Sequence, residues 1–203
     1  MPSKKGGRYV FSDYPEFRPN VHPKDIIHSG FGKTYFRDLY VKNLHKEVKN
    51  AWKKIPLSWR RGLTKDDLAR PWSEYDKSFN KFAVKVGATY QFWVSKKWID
   101  SKYDTHGWFQ WYCNFFRGRR TPDDERQIKR WQGVGSERGR FFMNACRLII
   151  KKAKGDVALA CKLLKDSKVY PRIRQTLWHW GVEITPALLR LYARNLNKHP
   201  KKK

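Results

Sequence analysis

Apolar residues along this chain recur mostly at three- and four-residue steps. Phe36, Leu39, Tyr40, Leu44, Val48, Ala51 and Trp52 follow that rhythm while Lys42, Lys46, Lys49 and Lys53 point elsewhere, so the pattern predicts an amphipathic helix over 38–54, closed by Pro56. From Pro56 to Asn80 the rhythm dissolves into loop with short turns, where Thr64 is placed to cap Asp66 and Asp67 and Pro71 breaks any helix begun there. Residues 81–87, KFAVKVG, alternate apolar and polar and form the single predicted strand. Helical spacing returns over 88–98, followed by a turn through Asp100 to His106. It continues over 138–154, where Phe141, Phe142, Ala145, Cys146, Leu148, Ile149 and Ala153 share a broad face and Gly155 ends the run. Further helices are expected over 157–164, 173–180 and 188–196, the last two opening after Pro171 and after Thr185-Pro186.

The stretch GWFQWYCNFFRGRR, 107–120, carries the strongest pattern. Trp108, Trp111, Tyr112, Phe115 and Phe116 occupy i, i+3, i+4, i+7 and i+8, one stripe wide enough to face a core, and Gly118 ends the helix. Core packing is the expected role. The competing role is stacking of exposed rings on unpaired bases beside Arg117, Arg119 and Arg120. TPDDERQIKRW then starts a second helix, with Thr121 as cap, Pro122 first inside, and Asp123, Asp124 and Glu125 beside the positive helix end.

These elements define a mainly α fold: a compact multi-helix domain over 22–197 with at most a short strand. Residues 1–21 hold three prolines and two glycines, with rings at Tyr9, Phe11, Tyr14 and Phe17, a composition that suits an extended arm lying across the body and a wandering tail equally well. The closing NKHPKKK supplies a short basic tail, 198–203 in the domain division. No run approaches the roughly 20 apolar residues needed to span a bilayer, so no membrane partner is expected. Cys113, Cys146 and Cys161 are odd in number, widely spaced and set in apolar runs, which reads as reduced core thiols in an intracellular protein.

Charge changes the picture most. Forty-five Lys and Arg against eighteen Asp and Glu leave a formal +27 over 203 residues, a self-repelling surface that makes sense beside a polyanion. Ten Trp, ten Tyr and twelve Phe supply the apolar surface to fold such a chain, so a disordered basic tail is a poor description. From Arg138 onward seventeen basic residues face three acidic ones. Nucleic acid, DNA ahead of RNA, is therefore the expected partner. Its candidate contacts are Arg117, Arg119, Arg120, Arg126, Lys129, Arg130, Arg138 and Arg140, because guanidinium forks match phosphate oxygens in pairs.

Catalysis has weaker candidates. Asp123, Asp124 and Glu125 would be the ligands of a divalent cation in a nuclease, and His106 near Asp104 a general base. A helix start accounts for the acids equally well, and no HExxH, paired CxxC or Ser-His-Asp pattern occurs. No cofactor or metal is expected, and binding ranks ahead of catalysis. GFGKTYFR, 30–37, lacks the spacing of a Walker loop, so Gly30 and Gly32 are read as turn residues. His179, between two tryptophans, is expected to be a satisfied, partly buried side chain.

The segments GFGKTYFRDLY, NKFAVKVG, GWFQWYCNFFRGRRTPDDERQIKRW and IRQTLWHW, in that order, resemble a protein family of large double-stranded DNA viruses of eukaryotes, also present in algal and fungal genomes. The resemblance covers 30–180 and marks Gly107 to Cys113, then Gly118, Arg119, Arg120, Asp123, Asp124, Arg126, Gln127, Ile128 and Trp131. Ala83 and Val86 stand where the family pattern has glycine and cysteine, which argues against a shared thiol or zinc chemistry. The resemblance implies a viral or virus-like context, in the host nucleus or cytoplasm or in the virion, with viral proteins as further partners. It implies no reaction. A virion or assembly protein is thus a third reading beside nucleic-acid binding and nuclease.

Overall fold

The computed structural model describes residues 2–198, with side chains through Leu196. The basic tail beyond Lys198 lies outside the described residues. Among the described residues nine helices dominate, and strand is confined to two hairpins. In chain order the elements are β1 (Ser3–Lys5), β2 (Arg8–Val10), α1 (Pro23–Ile27), β3 (Leu39–Val41), β4 (Lys46–Val48), α2 (Leu57–Arg60) and α3 (Tyr90–Ser95), followed by α4 (Trp108–Phe116), α5 (Asp124–Val134), α6 (Arg140–Lys152), α7 (Val157–Leu163), α8 (Pro171–His179) and α9 (Pro186–Lys198).

The aromatic helix α4 is the hub. Trp111, Tyr112 and Phe115 have no exposed surface, and the predicted stripe faces the core as expected. Each polar handle on that stripe finds a buried partner. Trp111 Nε1 donates to Asp124 Oδ1 at 2.8 Å, Tyr112 Oη to the Val21 carbonyl at 2.7 Å, and Trp108 Nε1 to the His179 carbonyl at 3.2 Å. The start of α4 is held by a residue far away in sequence. Tyr35 Oη accepts from the backbone N–H of Phe109 (2.8 Å) and Gln110 (3.2 Å) while donating to the His106 carbonyl (2.6 Å), a side-chain cap on otherwise orphan donors. Gly107 enters this turn at φ 83°, and a Cβ there would lie 3.0 Å from Ile99.

The N-terminal arm is part of the core. β1 and β2 pair across Gly6-Gly7, both at positive φ, and Phe11 and Phe17 are buried. Phe17 meets the rings of Trp108, Trp111, Tyr112, Phe115 and Trp131. The backbone N–H groups of Asn20 and Val21 both donate to the Gly181 carbonyl, tying the arm to the end of α8.

Three local expectations are corrected. Residues 38–54 form the β3–β4 hairpin and two 3-10 turns, not an α-helix. His45 and Asn50 adopt left-handed φ of 46° and 56°, and the Asp38 carboxylate accepts from the Asn50 N–H at 2.8 Å, closing the hairpin base. Left-handed backbone at two positions and a side-chain bond reaching across twelve residues are incompatible with a continuous helix, and the apolar spacing alone does not register either. Residues 81–87 form no strand. Ala83 sits at φ 52°, Phe82 N–H donates to Gln175 Oε1, and the Val84 carbonyl accepts from Asn80 Nδ2, so side chains take the place of a ladder. Finally, Thr121 does not cap α5. The direction is reversed: Asp124 accepts from Thr121 N and Oγ1, both at 2.9 Å.

Two predicted boundaries hold. Thr64 and Asp67 make a reciprocal capping box. Gly155, at φ 90°, ends α6 with its N–H on the Ile150 carbonyl at 3.0 Å. All three cysteines are free and buried, and no described helix is long and apolar enough to cross a membrane.

Candidate nucleic-acid interface

The arginines after α4 sit in a corner furnished with acids. Arg119 pairs with Asp104, whose side chain is 1% exposed and also accepts from Asn114 Nδ2 at 2.9 Å. Burial pushes the Asp104 carboxyl above its usual range, with Arg119 and Asn114 pulling the other way. Arg120 makes a two-pronged contact with Asp13 (2.6 and 3.2 Å), donates to the Phe115 carbonyl, and lies 3.8 Å over the Phe115 ring. Its hydrogen bonds hold the Asp13 carboxyl below the usual carboxylate range. Arg126 forks onto Asp123, which also accepts from Gln127 Nε2 at 3.0 Å. Arg130 donates to the Trp98 carbonyl (2.8 Å) and to Gln127 Oε1 (2.9 Å). Burial lowers its guanidinium to about 10, which leaves it cationic at neutral pH. Four of the eight predicted contacts are therefore engaged inside the protein, and Arg117 touches the Lys54 carbonyl. Lys129 has only a loose 3.9 Å approach to exposed Glu125, while Arg138 and Arg140 are exposed.

The catalytic candidates are not brought together. Asp123 and Asp124 are buried and face Arg126 and Trp111 respectively, while Glu125 is in solvent. His106 is 1% exposed, its Nε2 on the Arg37 carbonyl at 2.9 Å, and burial drives its imidazole down to about 4. Among the described residues no three His, Cys, Asp or Glu side chains converge on a point. The Gly30–Arg37 segment is a turn, as expected: a Cβ on Gly32 would lie 2.4 Å from the Tyr75 ring, and Lys33 Nζ sits between Asp67 (3.4 Å) and Asp76 (3.5 Å).

What the arginines do is fasten a wall. Arg126 and Arg130 bind the carbonyls of Lys97 and Trp98, just beyond α3, and so hold α3 beside α5. Between them opens a cavity of about 720 Å³, within the range of small-ligand sites. Its walls are aromatic: Phe92, Trp93 and Trp98 from α3 and its exit, Trp108 and Phe109 from α4, and Trp180 after α8. His179 stacks on Phe31 at 3.8 Å in the lining, and its Nε2 faces two donors, Phe31 N–H and Gln175 Nε2, both at 2.9 Å. That arrangement fixes a neutral Nδ1–H ring, consistent with burial lowering it to about 3. Lys129, Arg130 and Arg140 also line the cavity.

Sequence reasoning did not find this cavity. Residues 31, 86–99, 129–141 and 176–180 converge only through the fold, and a signal existed only in Phe92 and Trp98, large rings on a weakly amphipathic segment that remain 42% and 38% exposed.

Cations after Arg138 behave differently from those of the corner. Among the described residues every ion pair uses a cation that precedes Arg138. The three acids beyond it are otherwise occupied: Asp156 caps α7, Asp166 accepts from Lys168 N–H, and Glu183 pairs with Lys81. Arg174 is buried on the carbonyls of Leu164, Asp166 and Val169. The others with described side chains are exposed, including Arg147, Lys151, Lys152, Lys162, Arg190 and Arg194. No family model, curated protein or solved structure matches the chain, so its own geometry carries the functional reading.

Proposed function

We propose that this protein binds nucleic acid without catalysing a reaction and with little base selectivity, through the exposed cations of its C-terminal helices. The supporting observation is the unpaired state of those cations. Packing α6 to α9 together confines positive charges that pair with no carboxylate among the described residues, and a polyanion supplies the missing countercharge. Arg140, Arg147 and Lys151 follow one side of α6, about 10 Å and about 6 Å apart along the axis at 1.5 Å per residue. That stripe starts at the cavity, where Arg140 is part of the lining. Phosphate contacts of this kind position a strand without reading its bases. DNA is the favoured partner, and the resemblance to proteins of large DNA viruses gives the activity a setting in genome organisation or packaging.

The test is a salt titration of affinity for a labelled duplex and for its single strand. Binding should weaken linearly on a log-log plot, with a slope near 0.9 per neutralised phosphate for duplex and about 0.7 for single strand. Absence of binding to either form at low salt would falsify the reading.

A further inference from the structure

We infer that the aromatic cavity between α3, α4, α5 and α8 receives an unpaired nucleobase of the bound strand, stacked face-on against its tryptophans. This rests on the nucleic-acid reading above and adds where, and in what state, a base is held.

Three observations carry it. The first is composition of the walls. Phe92, Trp93, Trp98, Trp108 and Trp180 line it, Trp108 stacked on Trp180 at 4.4 Å with its indole N–H donated to the His179 carbonyl. A pocket so lined grips a planar π-system but offers little with which to discriminate one base edge from another. The second is charge. Arg140 and Lys129 are exposed where they line the cavity, and Arg130 lies 5.6 Å from the Trp98 ring and 5.4 Å from that of Trp180. The occupant is therefore an aromatic group attached to an anion, and a nucleotide unit has that form. Quaternary ammonium groups, the other frequent guests of aromatic boxes, are disfavoured by three cations around the opening. The third is continuity. Arg140 belongs both to the cavity and to the α6 stripe, so a backbone tracked by Arg147 and Lys151 arrives at the opening with its base free to enter. Bases inside a duplex show only their edges in the grooves, so face-on stacking requires an unpaired one.

Gly133 gives a direct way to close the cavity. It lies in α5, lines the cavity, and a Cβ built there meets nothing within 4 Å. Gly133 is exposed at the cavity wall, so a large side chain there displaces no packed atom and has the opening within reach, and replacing a helical glycine favours the helix.

The experiment measures anisotropy of a labelled thymidine 20-mer, of a mixed-sequence duplex, and competition by thymidine monophosphate, with wild type, Gly133→Trp and Trp98→Ala. Wild type should prefer the single strand. Gly133→Trp should weaken single-strand binding roughly tenfold or more, the scale of one lost stacked base, and abolish the preference over duplex. Trp98→Ala, altering a ring already partly in solvent, should lose roughly fivefold and guards against a folding defect in the first variant. Single-strand affinity unchanged within twofold in both folded variants, with duplex binding intact, overturns the cavity inference and leaves the charge-based reading standing. Loss of binding to both forms in wild type overturns both. Binding of the monophosphate at least as tight as that of the strand, and blocked by Gly133→Trp, makes a free nucleotide the occupant and overturns the strand assignment.

Discussion

The corner around α4 and α5 and the helices from α6 onward are both rich in lysine and arginine, yet they use them differently. In the corner, Arg119, Arg120 and Arg126 each meet a carboxylate supplied by another turn or another segment, Asp104, Asp13 and Asp123. In α6 to α9 the exposed cations meet none among the described residues. Formal charge is therefore a poor proxy for charge offered to a ligand. An arginine held in a fork by a buried carboxylate is structural steel, and removing either member leaves a desolvated group without its partner.

The largest effect that separates the two regions should come from Asp104→Ala. Asp104 accepts from the terminal nitrogen of Arg119, whose buried Nε has no hydrogen-bond partner, and it also receives Asn114. Urea unfolding should show a loss of about 3 kcal/mol, the lower end for a broken buried pair because Arg119 is partly exposed. The salt slope of nucleic-acid binding should not move. A loss under about 1 kcal/mol would remove the distinction between the regions.

Acid should act through two buried histidines, His106 before α4 and His179 at the end of α8. His106 and His179 are neutral in the fold, lowered to about 4 and about 3 by burial, whereas an unfolded histidine titrates near 6.5. The unfolded chain therefore binds more protons below that value, so stability is complete above pH 6.5 and falls as pH drops toward 4. Each ring contributes on the order of 3 kcal/mol across the window. The urea midpoint measured at pH 7.5, 5.5 and 4.5 should fall progressively, and more gently in His179→Gln. A midpoint flat across that range contradicts the burial of both rings.

The smallest effect on stability, and the sharpest on binding, is expected of Arg147→Gln, Lys151→Gln and Lys152→Gln combined. All three positions are exposed and none is ion-paired among the described residues, so unfolding should change by less than about 0.5 kcal/mol per site. The duplex salt slope should drop by up to about 2.7, at 0.9 for each phosphate no longer neutralised. An unchanged slope moves the interface away from α6.

Much of this division was legible in the chain and part was not. The α4 stripe, the caps at Thr64 and Gly155, and the excess charge after Arg138 are local or additive properties, and they survive folding. The 38–54 hairpin did not follow its apolar spacing because His45 and Asn50 turn the backbone left-handed and Asp38 bonds across the hairpin to the Asn50 N–H. The fate of the arginines was hidden for a different reason. Asp13 lies 107 positions from Arg120, and which carboxylate reaches which guanidinium depends on the packed core between them. The cavity is hidden in the same way, since its walls come from separated stretches whose individual patterns suggest nothing hollow.

Phe17 sits among five rings contributed by α4 and α5, and the Tyr112–Val21 hydrogen bond nearby spans 91 positions. The keystone of the hub is thus laid before any of the stones it must lock. Closure of so long a loop delays consolidation, and a ribosome-bound chain holding residues 2–22 has nothing yet to wedge them against. Shortening this segment should hollow the centre of the molecule, with consequences closer to those of a deleted core helix than of a trimmed terminus.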